Sequence, residues 1–389
     1  MSVVDVPMCA DGSDRTPRVV QDRTVLAQLG AALDALHDAV GTHIMARRTW
    51  LQTCLDHDTR YEPLAVVVPG PDDSIEAVAL LAVRRRGRRA SIVALGHGHS
   101  DVSAFPARTP AAAAALADAV VEMLVARRGS WTLRVRHIDR GDPVAARIAA
   151  RLRHGWLVPG GTSPCLVLTP GRDLRSYVGK HYVKNRRRRL AKIAELGHPV
   201  VEEITRDPDA IAAALPEIVD ICRMRDLAKG RTGMVATPEG AARFRDAVLA
   251  HAREGRMLLL TARIGDALAG YALCFVDGTV VRVWNCRFDP AWSAYGIGQI
   301  CRAALIDHAI ATGLTSVDWM LGNEPYKQAL SNASRPAEDL FAASGLLLAM
   351  LTRLGLLVRA WARTATADDA DPPRWVRIVR RVGKPLLGS

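Results

Sequence analysis

Lysine is nearly missing from this sequence: of its 52 basic residues only six are lysine, at Lys180, Lys184, Lys192, Lys229, Lys327 and Lys384. Alanine is abundant too, and the bias reads as that of a GC-rich coding sequence. The formal net charge of +12 is therefore discounted as a sign of nucleic acid, anionic lipid or anionic substrate, except where basic residues cluster locally. Long apolar runs are also missing. In the C-terminal part the longest uncharged stretch, Leu340 to Thr352, falls well short of the roughly 20 residues a membrane span needs. The seven cysteines (Cys9, Cys54, Cys165, Cys222, Cys274, Cys286 and Cys301) show no C-x-x-C and no histidine at metal-ligand spacing, so they read as reduced thiols of a cytosolic protein rather than as a zinc or disulfide framework. The opening MSVVDVPMCADGSD lacks a basic n-region and an apolar h-region and is not expected to be a signal peptide.

What is present suffices for a large core. At 389 residues with 49% hydrophobic composition, two or three domains are expected. Residues 1–20 read as a loose tail, followed by a helical pattern to Trp50 and Leu55. Short strands then follow at 62–68, 75–83 and 90–96, a helix at 110–128, a strand at 131–138, a helix at 142–155 and an apolar strand at 165–169. After helices near 173–196, 207–228 and 237–254 the same order returns: strands at 257–264, 268–276 and 279–288, a helix at 293–313, a strand at 315–321 and a helix from Glu324. The recurrence, about 190 residues further on, is one of architecture and not of residue identity. It predicts two α/β domains of one fold, at 21–170 and 171–340, with an amphipathic helix and a basic tail at 341–389.

Two stretches concentrate chemistry. At SAYGIG (293–298) Gly296 and Gly298 stand where a helix begins, so unobstructed backbone N–H groups meet the positive end of the helix dipole, a geometry that suits a pyrophosphate. A plain tight turn is the alternative. At VDWMLGNEPYKQAL (317–330) a strand stops at Gly322 and releases Asn, Glu, Tyr and Lys in quick succession.

These residues resemble a known family. SAYGIG resembles the Q/R-x-x-G-x-G/A loop in motif A of the GNAT acyltransferase superfamily, with Ser293 or Ala294 where Gln or Arg is expected. DWMLGNEPYK is similar to the D-F-x-x-G-x-x-x-Y-K signature of the CelD-like branch, named after a cellulose-biosynthesis-associated acetyltransferase and akin to the FemABX aminoacyltransferases. TWLQTCLDHDTRYEPLAVVV, GHGHSD, SYVGKHYVKNRRRRLAKIAELG and RMRDLAKGRTGMV resemble further segments of that branch, so the likeness covers about 45–345. It implies tandem GNAT domains, each a mixed, mostly antiparallel sheet flanked by helices. It further implies acyl transfer from an acyl-coenzyme A to an amine without a covalent enzyme intermediate, a catalytic second domain and a non-catalytic first one. No metal is called for.

On this plan the segment Ser293, Ala294, Tyr295, Gly296, Ile297 and Gly298 holds the coenzyme, and Asn285 and Cys286 border the reacting thioester. Tyr326 could protonate the leaving thiolate, and Asp318 or Glu324 could accept the amine's proton. For each a structural role stands beside the chemical one: an aromatic packed on the sheet, a buried acid holding a turn or an arginine, a first-turn acid on a helix dipole. Lys327, a lysine where the chain nearly always uses arginine, suggests a compact ammonium for a phosphate or carboxylate. Lys229 could fold over substrate or be plain surface. His97 and His99 look like a metal pair without a third ligand and are expected, if they act, to line a substrate groove between the domains.

The run KHYVKNRRRRLAK (180–192) reads as a solvated helix face, with lipid, a polyanionic acceptor or nucleic acid as alternatives. The stripe Leu346, Leu347, Met350, Leu351, Leu354, Leu357, Val358 and Trp361 is expected first to pack on the protein body, and otherwise to lie on an anionic membrane together with RWVRIVRRVGK (374–384). Two rival functions remain on the sequence alone: an aminoacyltransferase fed by charged tRNA, served by the basic helix, and a catalytically silent membrane-surface binding protein. The expected acceptor is a small-molecule or cell-envelope amine, and the expected place is the cytoplasm, with peripheral contact at the inner membrane face as an option.

Overall fold

The structure, a computed structural model, describes residues 16–230 and 232–364. Its chain order begins β1 (Arg18–Val20), α1 (Arg23–Gln28), α2 (Gly30–Ala39), α3 (Arg48–His57), β2 (Glu62–Pro69), β3 (Ile75–Arg86), β4 (Arg89–Ala94), α4 (Pro110–Val125), β5 (Ser130–Asp139), α5 (Pro143–Arg151) and β6 (Gly155–Val167). It continues with α6 (Leu174–Ala194), β7 (Val200–Thr205), α7 (Pro208–Ala228), α8 (Pro238–Arg253), β8 (Met257–Ile264), β9 (Ala267–Asp277), β10 (Val280–Phe288), α9 (Ile297–Ala311), β11 (Ser316–Asp318), α10 (Pro325–Ala329), β12 (Ala333–Ala343) and α11 (Leu346–Thr364).

Helix starts follow local chemistry. Thr109–Pro110, Asp142–Pro143, Asp207–Pro208 and Thr237–Pro238 each place a capping side chain before a proline at the first helical position, opening α4, α5, α7 and α8. The cap accepts an orphan N–H, and proline's fixed φ suits a position that needs no donor.

Two compact units result. The first comprises Met1–Arg48, Asp58–Gly160 and Glu338–Ser389, the second Thr49–His57 and Gly161–Ala337. In the first, β1 to β4 form antiparallel pairs in sequence where β1 meets β2, β2 meets β3 and β3 meets β4, and β5 returns parallel to β4 after α4. In the second, β7, β8, β9 and β10 pair antiparallel in order, and β11 returns parallel to β10 after α9. The expected repeat of architecture is thus present: a mixed, mostly antiparallel sheet with flanking helices, built twice.

The first core alternates along β2. Leu64, Val66 and Val68 pack with Leu116, Val120 and Leu124 of α4, while Ala65 and Val67 pack with Leu33 and Leu36 of α2. Burial on both faces explains the unbroken apolar run in this strand. His37 lies in the same region with both ring nitrogens buried and without a hydrogen-bond partner. Burial, and then Arg47, lower its pKa to about 4. The folded pKa lies below the unfolded one, so the unfolded chain takes up a proton first as pH falls, and stability is lost between about pH 6.5 and pH 4. From about pH 7 to about pH 5 the wild type is expected to lose about 2 kcal/mol more than His37→Phe. Urea titrations of both proteins at the two pH values check this; parallel losses would disprove it.

The units divide differently from the expected 170/171 and 340/341 boundaries. Thr49–His57 goes with the second unit because the Trp50 ring sits edge-on to Trp284 at 5.3 Å and to Phe275 at 5.9 Å, while His57 reaches Asp246 at 2.7 Å. The other divisions fall inside β6 and β12. The N-terminal half of β6, with Pro159, Gly160 and Gly161, and all of β12, with Pro336 followed by Glu338 and Asp339, carry residues that argue against a strand. The expected tail ends sooner, since Arg18–Val20 pairs with β2 as β1. Residues 1–15 and the basic stretch 374–384 lie outside the described residues.

Candidate functional site

In the second unit β10 and β11 pair only over Val280–Arg282 against Ser316–Asp318. β10 runs on to Phe288 beside β9, with a bulge between Val283 and Asn285, whereas β11 stops at Asp318. Two parallel strands that part at their C-terminal ends leave groups of both facing a gap.

Past this gap the chain makes a tight turn at Pro290–Tyr295 and enters α9 through Gly296 at φ 68°. Glycine suits this left-handed backbone, and a Cβ there would fall inside the guanidinium of Arg189. No side chain caps α9. The N–H groups of Ile297 and Gly298 therefore stand at the positive end of the dipole without the partner that opens α4, α5, α7 and α8.

Arginines gather at this helix start. Arg189 comes from α6 and Arg302 from the second turn of α9, while Arg225 of α7 stacks 4.2 Å over Phe288; Arg287, at the end of β10, lies 3.9 Å from Asp226 of α7. Lys192 lies 5.4 Å over the Tyr295 ring. The Nε groups of Arg189, Arg287 and Arg302 are buried without a hydrogen-bond partner. Buried donors left unpaired are costly, and an anion that accepted from them would recover that cost. The residues present fit a coenzyme pyrophosphate: a cradle at Gly296 that a Cβ would fill, and, on Arg189 and Arg302, buried Nε–H donors lacking acceptors.

Tyr326 opens toward the same place from α10. Its ring lies 4.2 Å beneath Arg302 and edge-on to Trp319 at 6.5 Å. Burial above all, then Cys286 and Glu324, push its phenol up to about 12. It keeps its proton through the physiological range, as a proton donor must. The half-buried Cys286 thiol is likewise pushed up, chiefly by burial. Glu324 has its pKa lowered: burial works against ionisation, but its own backbone N–H and the Lys327 ammonium at 3.2 Å outweigh it.

Other sequence-predicted residues have different employment. Asp318 is buried; one carboxylate oxygen takes Arg282 at 2.7 Å and Arg335 at 3.4 Å, and the other accepts the Met320 N–H at 2.8 Å. An acid so engaged holds the sheet together and is poorly placed to take up a substrate proton. Lys327 is buried too, donating to the carbonyls of Leu321 at 2.7 Å and Met320 at 3.4 Å. Its compact ammonium is used inside the turn, where a Cβ on Gly322 (φ 140°) would run into it and into the Glu324 carboxylate. Asn285 points into the core, accepting from the Tyr271 hydroxyl at 2.8 Å and donating to Met234 Sδ. The bulge carries its side chain off the gap, so of the adjacent pair only Cys286 keeps to the α9 side.

Ser293 and Ala294 are exposed, Tyr295 is half-buried and the Ile297 side chain is fully buried, so Ile297 offers the gap its backbone alone. Lys229 is exposed at the C-terminus of α7. His97 and His99 lie in the first unit. The His97 ring meets the Arg134 guanidinium, and burial, then Arg134 and Arg136, bring its pKa down to about 3. The first unit's counterpart of α9, α4, begins with Thr109 and Pro110, which close its N-terminus. Sequence reasoning missed Arg189, Arg287 and Arg302. For Arg302 a signal existed: it stands four residues after Gly298, on the same face of α9.

Comparison with known proteins fits this geometry. No curated protein matches the sequence. Among solved structures, FemX superposes with a TM-score of 0.58 at 10% identity over 87% of this chain and 99% of that one. The C-terminal domain of a putative lysylphosphatidylglycerol synthetase from Agrobacterium fabrum gives 0.52 at 12% identity over 84% and 96%. L-PGS from Bacillus licheniformis gives 0.51 at 10% identity over 80% and 90%. At such identities the likeness is one of fold. Residues 180–328 match the family described as Acetyltransferase (GNAT) domain. That stretch runs from the basic helix through the glycine-opened α9 to Tyr326 and Lys327.

Proposed function

We propose that the chain is an N-acyltransferase that moves an acyl group from an acyl-coenzyme A to the primary amine of a small-molecule or cell-envelope precursor by direct attack. DWMLGNEPYK supports its placement in the CelD-like branch. One observation carries the reading: the uncapped, glycine-opened start of α9 ringed by guanidinium groups whose buried Nε–H donors have no acceptor.

When bound, the coenzyme supplies an activated acyl thioester. The N–H groups of Ile297 and Gly298 offer backbone donors to its pyrophosphate, and Arg189 and Arg302 offset its charge. As the amine nitrogen bonds to the carbonyl carbon, the C–S bond breaks and the Tyr326 hydroxyl gives its proton to the sulfur. The amine's surplus proton leaves to solvent, and solvent returns one to the Tyr326 phenolate, whose high pKa draws it back. Glu324, ionised and half-exposed, suits attraction of the acceptor's ammonium better than removal of its proton, because a carboxylate of lowered pKa is a weak base.

Calorimetric titration with acetyl- and longer acyl-coenzyme A tests the donor, and release of coenzyme thiol over an amine panel tests transfer. Tyr326→Phe is expected to bind the thioester as the wild type does and to transfer about a hundredfold more slowly. Absence of thioester binding by the wild type, or full activity of the variant, would sink the corresponding half of the reading.

An aminoacyl-tRNA donor is the second reading. It is favoured by Lys180, Lys184, Arg187 and Arg188, exposed along α6 and without an ion pair among the described residues. Salt-sensitive tRNA binding without thioester binding would select it.

A further inference from the structure

Helix α11 is turned the opposite way from a core helix. Its buried positions are small, Ala349 and Thr352, and Arg353 fastens it by stacking 4.6 Å over Trp156. Its large apolar side chains point outward: Leu346, Leu347, Met350, Leu351, Leu354 and Leu357 are 51% to 74% exposed. For these six positions the sequence expectation that the stripe packs on the protein body is therefore corrected; Val358 is half-buried, and the Trp361 side chain lies outside what the structure describes. The helix beds on Ala349 and Thr352 with Leu348 and Leu356 half-buried beside them, which leaves the broad outer leucine face uncovered. A contiguous leucine face in water is costly and marks an interaction surface. Among the described residues no helix is long and apolar enough to cross a membrane, so the stripe is not a span.

We propose that α11 lies in the interface of an anionic lipid bilayer and holds the protein there, independently of the donor site. Charge selects lipid over a second copy of the chain. From Leu346 to Thr364 there is no acidic residue, and the charged positions are Arg353, Arg359 and Arg363. Two such helices face to face would meet like charge with like, with no acid to pair across the seam. The stripe is also wider than the two-position seam of a coiled coil, because Leu346, Met350 and Leu357 flank it. The sequence that follows adds Arg374, Arg377, Arg380, Arg381 and Lys384 against Asp368, Asp369 and Asp371. Apolar face and basic surplus together match an interfacial helix reading anionic headgroups.

Co-sedimentation of the full chain with vesicles of phosphatidylcholine alone, or of phosphatidylcholine and phosphatidylglycerol in equal parts, tests this. Binding to the anionic vesicles is expected to be at least about tenfold tighter, and to weaken with salt. Leu347→Glu/Leu354→Glu is expected to abolish it with an unchanged circular dichroism spectrum and melting temperature, since both side chains are exposed. Arg374→Gln/Arg377→Gln/Arg380→Gln/Arg381→Gln is expected to lose the preference for anionic lipid. No binding to anionic vesicles, no preference over neutral ones, or undiminished binding by the leucine variant would overturn the proposal. So would a two-copy mass by light scattering that the leucine variant halves while neither protein binds vesicles, an outcome that gives the face to a second copy.

Discussion

Asp318→Ala is expected to cost about 3–5 kcal/mol, the penalty for removing one partner of a buried ion pair. Asp318 and Asp277 are both less than a tenth exposed, and Arg282 bridges them, with 2.9 Å to Asp277 and 2.7 Å to Asp318. Arg335 of β12 approaches the same Asp318 oxygen. The network thus joins the ends of β9, β10, β11 and β12 within the second unit. The substitution takes this carboxylate from both Arg282 and Arg335. The substitution also removes the acceptor of the Met320 N–H, and Met320 is held at φ 59°, an unfavourable region for a residue with a side chain. For a unit of this size the loss corresponds to a fall in melting temperature of roughly 10 °C. Differential scanning calorimetry reads it directly. Asp318→Asn separates structure from chemistry, because the amide can still accept the Met320 N–H. If Asp318 only holds the sheet, Asn lowers stability and leaves turnover of the surviving folded protein near the wild-type value. An unchanged melting temperature with lost turnover would restore the acid to catalysis.

Asp318 also shows where reading the chain stops. Its residue type announces a charge, and nothing near it in sequence announces Arg282 or Arg335, which lie 36 and 17 positions away. Lys327 was conspicuous as a lysine, but besides Glu324 its partners are two carbonyls whose direction depends on the turn at 320–322. Features settled within a few residues were legible. Thr109–Pro110 and Asp207–Pro208 mark helix starts, GD and DG turns mark the β8–β9 and β9–β10 hairpins, and Gly296 marks the opening of α9. Features settled by a distant neighbour were not. The run 186–189 is four arginines in a row, and only the folded unit distinguishes Arg189, at the α9 cradle, from Arg187 and Arg188, which face solvent. In α11 the spacing of leucines defines a stripe but leaves open which way it faces, and β12 hides behind Pro336 and two acids.

The donor site stands or falls on Gly296. Gly296→Glu is expected to weaken acyl-coenzyme A binding about a hundredfold, because it combines loss of the cradle with a like charge at the pyrophosphate. The cost to folding is far smaller, about 1–2 kcal/mol for a non-glycine residue in the left-handed region. Two controls apportion the effect. Gly296→Ala carries the same backbone strain and also displaces the Arg189 guanidinium, but adds no charge, so it is expected to fall between wild type and Glu. Gly296→Ala/Arg189→Ala gives the new methyl room while removing one cation. If it binds less tightly than Gly296→Ala alone, Arg189 contributes to the anion site beyond filling space beside the glycine. Calorimetric titration of the four proteins with acetyl-coenzyme A yields the series. Wild-type affinity in Gly296→Glu would mean that the pyrophosphate rests elsewhere, and that the unpaired Nε donors of Arg189, Arg287 and Arg302 serve some other anion. A graded loss would fix the start of α9 as the place where the second unit holds its acyl donor.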